Sequence, residues 1–257
     1  MAHLLAYKGA INSATLVPIE AVPDDIMSIP APDRVQIPAD KNSIHWAAAL
    51  GTKLIRAQLD TPSLDVKRMT ADIVPAAQGA IVFDPAILPI FVPKNDIILT
   101  PSENLRVIAS ATDTGATDVY ALIQLKAAGL LPAIPQGDIR IIKCSGATTL
   151  VGGKWTTVSV TPDLDLEAGN YTLIGFLPLS ATGIASRALF NGQVDRPGMP
   201  CIAGAYATSL AFNPMLRDAL QYFSMGVFSH ITLPQFQFLA AGADTTQDVL
   251  MYCIKTA

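Results

Sequence analysis

The residues able to do chemistry are few and dispersed. Histidine occurs as His3, His45 and His230, and cysteine as Cys144, Cys201 and Cys253. No HxH, HExxH or CxxC spacing joins them, so neither a zinc cage nor a thiol redox pair can be read from the chain. A GxSxG elbow and a phosphate loop are also missing. The Gly-Gly-Lys of "LVGGKW" (150–155) lies between strand-like runs and reads as a hairpin turn. His230, inside "VFSHITL", reads as a packed or interface residue. Two Asp-rich turns remain. Asp113 with Asp118, and Asp244 with Asp248, could offer oxygens to Ca²⁺. Asp and Thr also cap turns by accepting from nearby backbone N–H groups, and that is the preferred reading. The sequence therefore assigns no catalytic, cofactor-binding or metal-binding residue, and no enzyme is expected.

The elements that carry these residues are apolar. Of 257 residues, 51% are hydrophobic and 15% charged, against roughly 25% charged in average usage. Such a chain must hide surface in a membrane, an oligomer interface or a large core. Prolines and charges interrupt every apolar stretch, so no spanning helix of ~20 residues is expected. The start "MAHLLAYKGAINSA" lacks a basic region followed by a sustained apolar core, and is not read as a secretion signal. Three scattered cysteines point to reduced thiols in a cytosolic setting rather than a disulfide framework. The net charge of −4 and the dispersed Lys and Arg give no electrostatic footprint for nucleic acid. Oligomerisation becomes the favoured account of the low charge.

Short apolar runs separated by turn formers fill the chain from residue 50 onward. Examples are "KLIRAQL" (53–59), "GAIVF" (79–83), "LRVIASA" (105–111), "DIRIIKC" (138–144), "YTLIGFL" (171–177) and "DVLMYCI" (248–254). "RPGM" (196–199) has Pro then Gly at the centre of a type II turn. Two stretches read as helical: "NPMLRDALQYF" (213–223), with Asn213 as N-cap and Pro214 at the first position, and the weaker "SIHWAAAL" (43–50). About a dozen short strands at near-regular spacing predict an all-β chain of sandwiches or barrels. Residues 18–40 carry Pro18, Pro23, Pro30, Pro32 and Pro38, which exclude a helix there and predict extended pieces.

The chain also echoes itself. "LRVIASATD" (105–113) matches "FQFLAAGAD" (236–244) at an offset of 131, and Asp118-Val119 matches Asp248-Val249. A weaker match lays 53–69 on 172–188 at an offset of 119, with a helix-sized insertion near 213–223 to absorb the difference. The expected organisation is an extended Pro-rich arm at 1–44, a first β-barrel or sandwich at 45–130, and a second at 131–257 with a helix near 213–223.

Paired β-sandwiches in one acidic, charge-poor chain, with a proline-rich arm and a late helix in the second half, resemble the double jelly-roll major capsid proteins. Those proteins build tailless icosahedral viruses, including membrane-containing bacteriophages and adenovirus. The resemblance is architectural and rests on no diagnostic motif. It implies two tandem jelly-roll-like sandwiches, a structural role in the virion, and a homotrimer of nearly sixfold outline tiling an icosahedral shell. It further implies partners among other virion proteins, a possible internal membrane met by the N-terminal arm, no direct contact with nucleic acid, and assembly in the host cytoplasm. The alternative is a phage-associated or secreted β-sandwich binding module for a receptor or carbohydrate. Its weakness is the scarcity of aromatics, with Trp46 and Trp155 the only tryptophans. A β-sandwich hydrolase or isomerase ranks last.

Overall fold

The computed structural model describes residues 2–69, 71–73, 92, 93, 95–112, 116–129, 131–202 and 223–256. Apart from its first two residues, the chain divides into two compact units at residues 129 and 130. Their regular structure is almost entirely antiparallel β.

The first unit holds β1 (Ala2–Ile11), β2 (Val17–Ala21), β3 (Val35–Gln36), β4 (Ser43–Gly51), β5 (Leu54–Asp60), β6 (Ala71–Ile73), β7 (Ile97–Ile98), β8 (Asn104–Ala111) and β9 (Thr117–Lys126). A single helical turn, α1 (Pro62–Val66), follows β5. The strands lie in the order β6-β5-β8-β2-β1-β9-β4-β7, with β3 beside β8. Setting β3 aside and counting along the chain, this is fifth-fourth-seventh-second, then first-eighth-third-sixth. The second unit holds β10 (Ile139–Gly146), β11 (Trp155–Val158), β12 (Thr161–Pro162), β13 (Asn170–Leu179), β14 (Gly183–Leu189), β15 (Gly198–Pro200), β16 (Gly226–Ser229), β17 (Gln235–Ala240) and β18 (Gln247–Lys255). Its sheets run β12-β10-β18-β13-β16 and β11-β17-β14-β15. Setting β12 aside, the count is again first-eighth-third-sixth and second-seventh-fourth-fifth. Eight strands wound this way as two Greek keys make a jelly roll, and the chain makes it twice. In the first unit the two halves are joined by β1–β2 pairing, Tyr7 opposite Ala21. In the second they are separate sheets.

The two units share local irregularities as well as order. His45 is bulged out of the β4–β9 ladder and Ile174 out of the β13–β18 ladder. Ile55 is bulged out of β5–β8 and Ile184 out of β14–β17. Each pair of bulges (45 and 174, 55 and 184) lies 129 residues apart. A bulge adds one residue and sharpens the twist, so the third and fourth strands bend alike in both units. The sequence echo at 105–113 and 236–244 does join seventh strands, β8 and β17. The weaker echo does not join equivalents. It lays β5, a fourth strand, on β13, a third strand, because short apolar runs resemble one another; the equivalent of β5 is β14.

Three further expectations change. Residues 1–44 are not a separate arm in this fold. They supply β1 and β2, the first and second strands, because a jelly roll needs its first strand beside its last. The apolar start 2–7 is buried in β1. "SIHWAAAL" is strand β4, not helix. All nine β4 residues are buried, and pairing with β9 and β7 overrides the helical preference of its alanines. "RPGM" makes no type II turn, for Gly198 begins β15 and pairs with Arg187. The stretches 213–222 and 79–83 lie outside the described residues.

Strand burial is two-sided. Leu5 and Tyr7 of β1 and Ile44 and Ala47 of β4 belong to the first core, yet Leu4, Ala6, Trp46 and Ala48 on alternate positions are also buried. Nine of the ten β13 residues are buried. Strands covered on both faces read as continuous apolar runs, and much of the missing charge is accounted for here. Tyr7 ties the layers together, donating its hydroxyl to the Leu105 carbonyl at 2.8 Å. In the second unit Phe176 packs edge-on against Phe236, with ring centres 5.0 Å apart.

Close approach also fixes a glycine. A Cβ at Gly226, opposite Leu173 in β16, would lie 2.7 Å from the Phe190 ring. Gly226→Ala is therefore expected to cost about 1–3 kcal/mol through overpacking. Urea unfolding should show a lower midpoint at unchanged slope; an unmoved midpoint would mean that the ring gives way freely.

Candidate functional site

The residues singled out from sequence do not converge. His3 Nε2 lies 3.1 Å from Asp24 Oδ2, and both side chains are buried. His230 Nδ1 accepts from the Gly169 N–H at 3.2 Å and holds the turn after β16 to the start of β13. The three cysteines are buried, and burial raises their thiols, Cys144 to about 12. Gly152–Lys154 forms a β-turn, with Lys154 N–H donating to the Val151 carbonyl and Gly153 at φ +69. It leads into β11 rather than closing a hairpin. Among the described residues no group of His, Cys, Asp and Glu is disposed to hold a metal ion.

The Asp-rich turn of the second unit is a structural tie. Asp244 Oδ2 accepts from Ser180 Oγ and the Ala181 N–H, and Oδ1 accepts from the Thr246 N–H. Desolvation opposes its ionisation, but these hydrogen bonds outweigh it and hold the carboxyl below the usual range. The β13–β14 turn is thereby pinned to the β17–β18 turn. Asp248 accepts from Ser145 Oγ at 2.8 Å. In the equivalent turn of the first unit, Asp113 lies outside the described residues, and Asp118 is exposed.

A built concavity of the second unit lies elsewhere, along the open edge of β10. β12 covers that edge only at Cys144 and Ser145. Asp163 N–H still donates to the Lys143 carbonyl at 2.9 Å, and beyond it a cleft of about 700 Å³ lies between β10 and residues 163–167. Two ion pairs frame it: Lys143 with Asp163 at 2.9 Å, and Arg140 with Glu167 at 3.6 Å. The Lys143 hydrogen bond holds Asp163 below its ordinary range, and the Lys255 hydrogen bond does the same for Glu167. Tyr171 donates its hydroxyl to the Glu167 carbonyl at 2.8 Å. Ile141, Leu164 and Leu166 give the lining its apolar character. Two ion pairs and an Asp165 unpaired among the described residues, set beside apolar side chains, give the cleft the character of a binding surface. The motif "DLDLE" (163–167) alternates acid with leucine and was the available signal.

The first unit presents a different relief. Glu103 accepts from the backbone N–H groups of Ser63 and Thr100, each at 3.1 Å, and from Ser63 Oγ at 2.7 Å. This anchors α1, whose last residue Val66 begins an exposed segment, Val66–Met69.

No protein-family model matches the chain, and no curated protein shows a significant match. Among solved structures, the crystal structure of the STIV MCP aligns over 99% of this chain and 97% of its own, at 8% identity and a TM-score of 0.27. The crystal structure of the major capsid protein P2 from Bacteriophage PM2 aligns over 100% and 98%, at 8% identity and a TM-score of 0.25. At such scores the likeness carries no argument, and the fold assignment rests on strand order alone.

One titrating group in the first unit has a measurable consequence. His45, the bulged residue of β4, lies 3.1 Å from Gln124 Nε2. Burial, reinforced by the Lys126 charge and opposed by Asp96, lowers its pKa to about 4. The unfolded chain then takes up a proton that the folded chain refuses. Stability is full above the unfolded value of roughly 6.5 and declines as pH falls toward 4, by up to roughly 3 kcal/mol. Chemical denaturation at stepped pH should show this slope, and His45→Gln should flatten it. An unchanged slope in the variant would assign the acid sensitivity to other groups.

Proposed function

We propose that this chain is a structural virion protein, a major coat subunit that associates in threes to tile an icosahedral shell. The observation that carries the reading is the jelly roll built twice in one chain, with the same first-eighth-third-sixth and second-seventh-fourth-fifth winding. Three copies around one axis present six similar blocks, and a block of nearly sixfold outline packs a surface by repetition of a few cyclic and heterologous contacts. The link from such a fold to a coat is an analogy of architecture. It gains support from the apolar side chains left exposed at Val66, Leu164 and Ile231.

The net charge of −4 suits a coat that does not neutralise a genome directly. Its partners are then other copies of itself and other virion proteins, its place the virion, and its assembly in the host cytoplasm. Contact with an internal membrane falls to surfaces other than residues 2–7, which β1 buries. Neither tryptophan offers the binding-module reading a sugar platform: Trp46 is fully buried, and Trp155 lies under the Arg187 guanidinium at 4.3 Å.

Light scattering across a concentration series, with negative-stain images of the same samples, tests the proposal. Trimers of hexagonal outline or closed shells are expected. A monodisperse monomer at every concentration would contradict it.

A further inference from the structure

Two of the most exposed large apolar side chains among the described residues are Val66, 84% exposed, and Leu164, 82% exposed. Each sits in a charged setting opposite in character to the other. Val66 opens the segment Val66-Lys67-Arg68-Met69, apolar at both ends and basic between. Leu164 lies in Asp163-Leu164-Asp165-Leu166-Glu167, acidic with leucines between, on the wall of the β10 cleft. The acidic segment leaves one charge, and the basic segment two, without an ion-pair partner among the described residues. Asp163 and Glu167 are paired across the cleft, but Asp165 has no ion-pair partner among the described residues. The Lys67 ammonium is bound to the Ile98 carbonyl, but Arg68 has no ion-pair partner among them.

Arg68 also stands where a side chain is costly. Its φ is +51, the left-handed residue after a helix end, with Met69 N–H returning to the Leu64 carbonyl. Glycine is the default at such a position because a Cβ is strained there. An arginine without an ion-pair partner among the described residues is held there at that cost.

We infer that the 66–69 tip of one copy docks in the 140–143/163–167 cleft of a second copy, Arg68 meeting Asp165 while Val66 and Met69 cover Leu164 and Ile141. Both segments are exposed, and their leftover charges are opposite in sign. The contact joins two different patches and is heterologous; such contacts close into a ring when the rotation between copies permits. This rests on the coat-subunit reading and names the contact that would link neighbouring subunits within it.

The test is sedimentation and light scattering of full-length variants beside the unsubstituted chain. Arg68→Asp and Asp165→Arg, each alone, should raise the concentration of half-assembly by roughly tenfold or more, since like charges facing one another across an interface are penalised. The two together should bring it back close to the original value. Arg68→Gly relieves the backbone strain, so it should raise the thermal midpoint of the unassembled chain and still weaken assembly. If the unsubstituted chain assembles and the single variants or Arg68→Gly assemble equally well, this contact is wrong while the coat reading stands. Failure of the double reversal to restore assembly also overturns the contact. If the unsubstituted chain never leaves the monomer, contact and coat reading fall together.

Discussion

In each unit the last strand must enter the middle of a sheet. β18 is hydrogen-bonded to β10 on one side and β13 on the other, from Gln247 to Ile254 along the first and Asp248 to Lys255 along the second. β9 lies likewise between β1 and β4. The sheet that holds it cannot be finished before that strand arrives, because it has a gap until then. The pairing is also distant in sequence: Ile139 meets Ile254. Loop closure must be met before such contacts return anything, which places the fold among the slower ones for its size.

The same strand explains the composition. A central strand covered on both faces has no side on which to carry charge, and Val249 to Ile254 are all buried. Oligomer contacts are therefore not needed to explain most of the apolar excess. What they are left to explain is smaller and more local: the few large apolar side chains that remain outside, and the unmatched charges beside them. Among the polar groups that go inside, one set is tied closely. Arg187 is almost fully buried, donates from Nε to Gln237 Oε1 at 2.8 Å and lies over Trp155. Removing one member of such a set leaves a buried group uncompensated, which is far costlier than losing an exposed pair.

Period and turn chemistry made the class legible. The runs at 105–111, 171–177 and 248–254 are strands because β-branched and aromatic residues sit between turn formers. The echo at 236–244 was readable because equivalent strands meet equivalent turns. Other features were hidden by physics that acts at a distance. Alanines in 47–49 favour a helix locally, and only a partner strand 70 or so residues away makes them β4. The Pro-Gly of 197–198 favours a turn, but the β14 edge takes Gly198 as a strand residue. Bulges at His45, Ile55, Ile174 and Ile184 leave no local signal, since each is defined by the strand opposite. The β10 cleft was the least legible, for it arises where a neighbouring segment fails to follow the strand.

Amide hydrogen exchange, read strand by strand on the intact protein, is the most direct measure of whether the last strand of each unit holds it together. Amides of core strands exchange only through global opening, and those of edges through local opening. The slowest exchange in the first half should fall in β9 and in the second half in β18, with β7, β12 and β16 far faster. Early exchange across 118–125 or 248–254, with neighbouring strands still protected, would contradict the central placement of these strands and with it the doubled jelly roll.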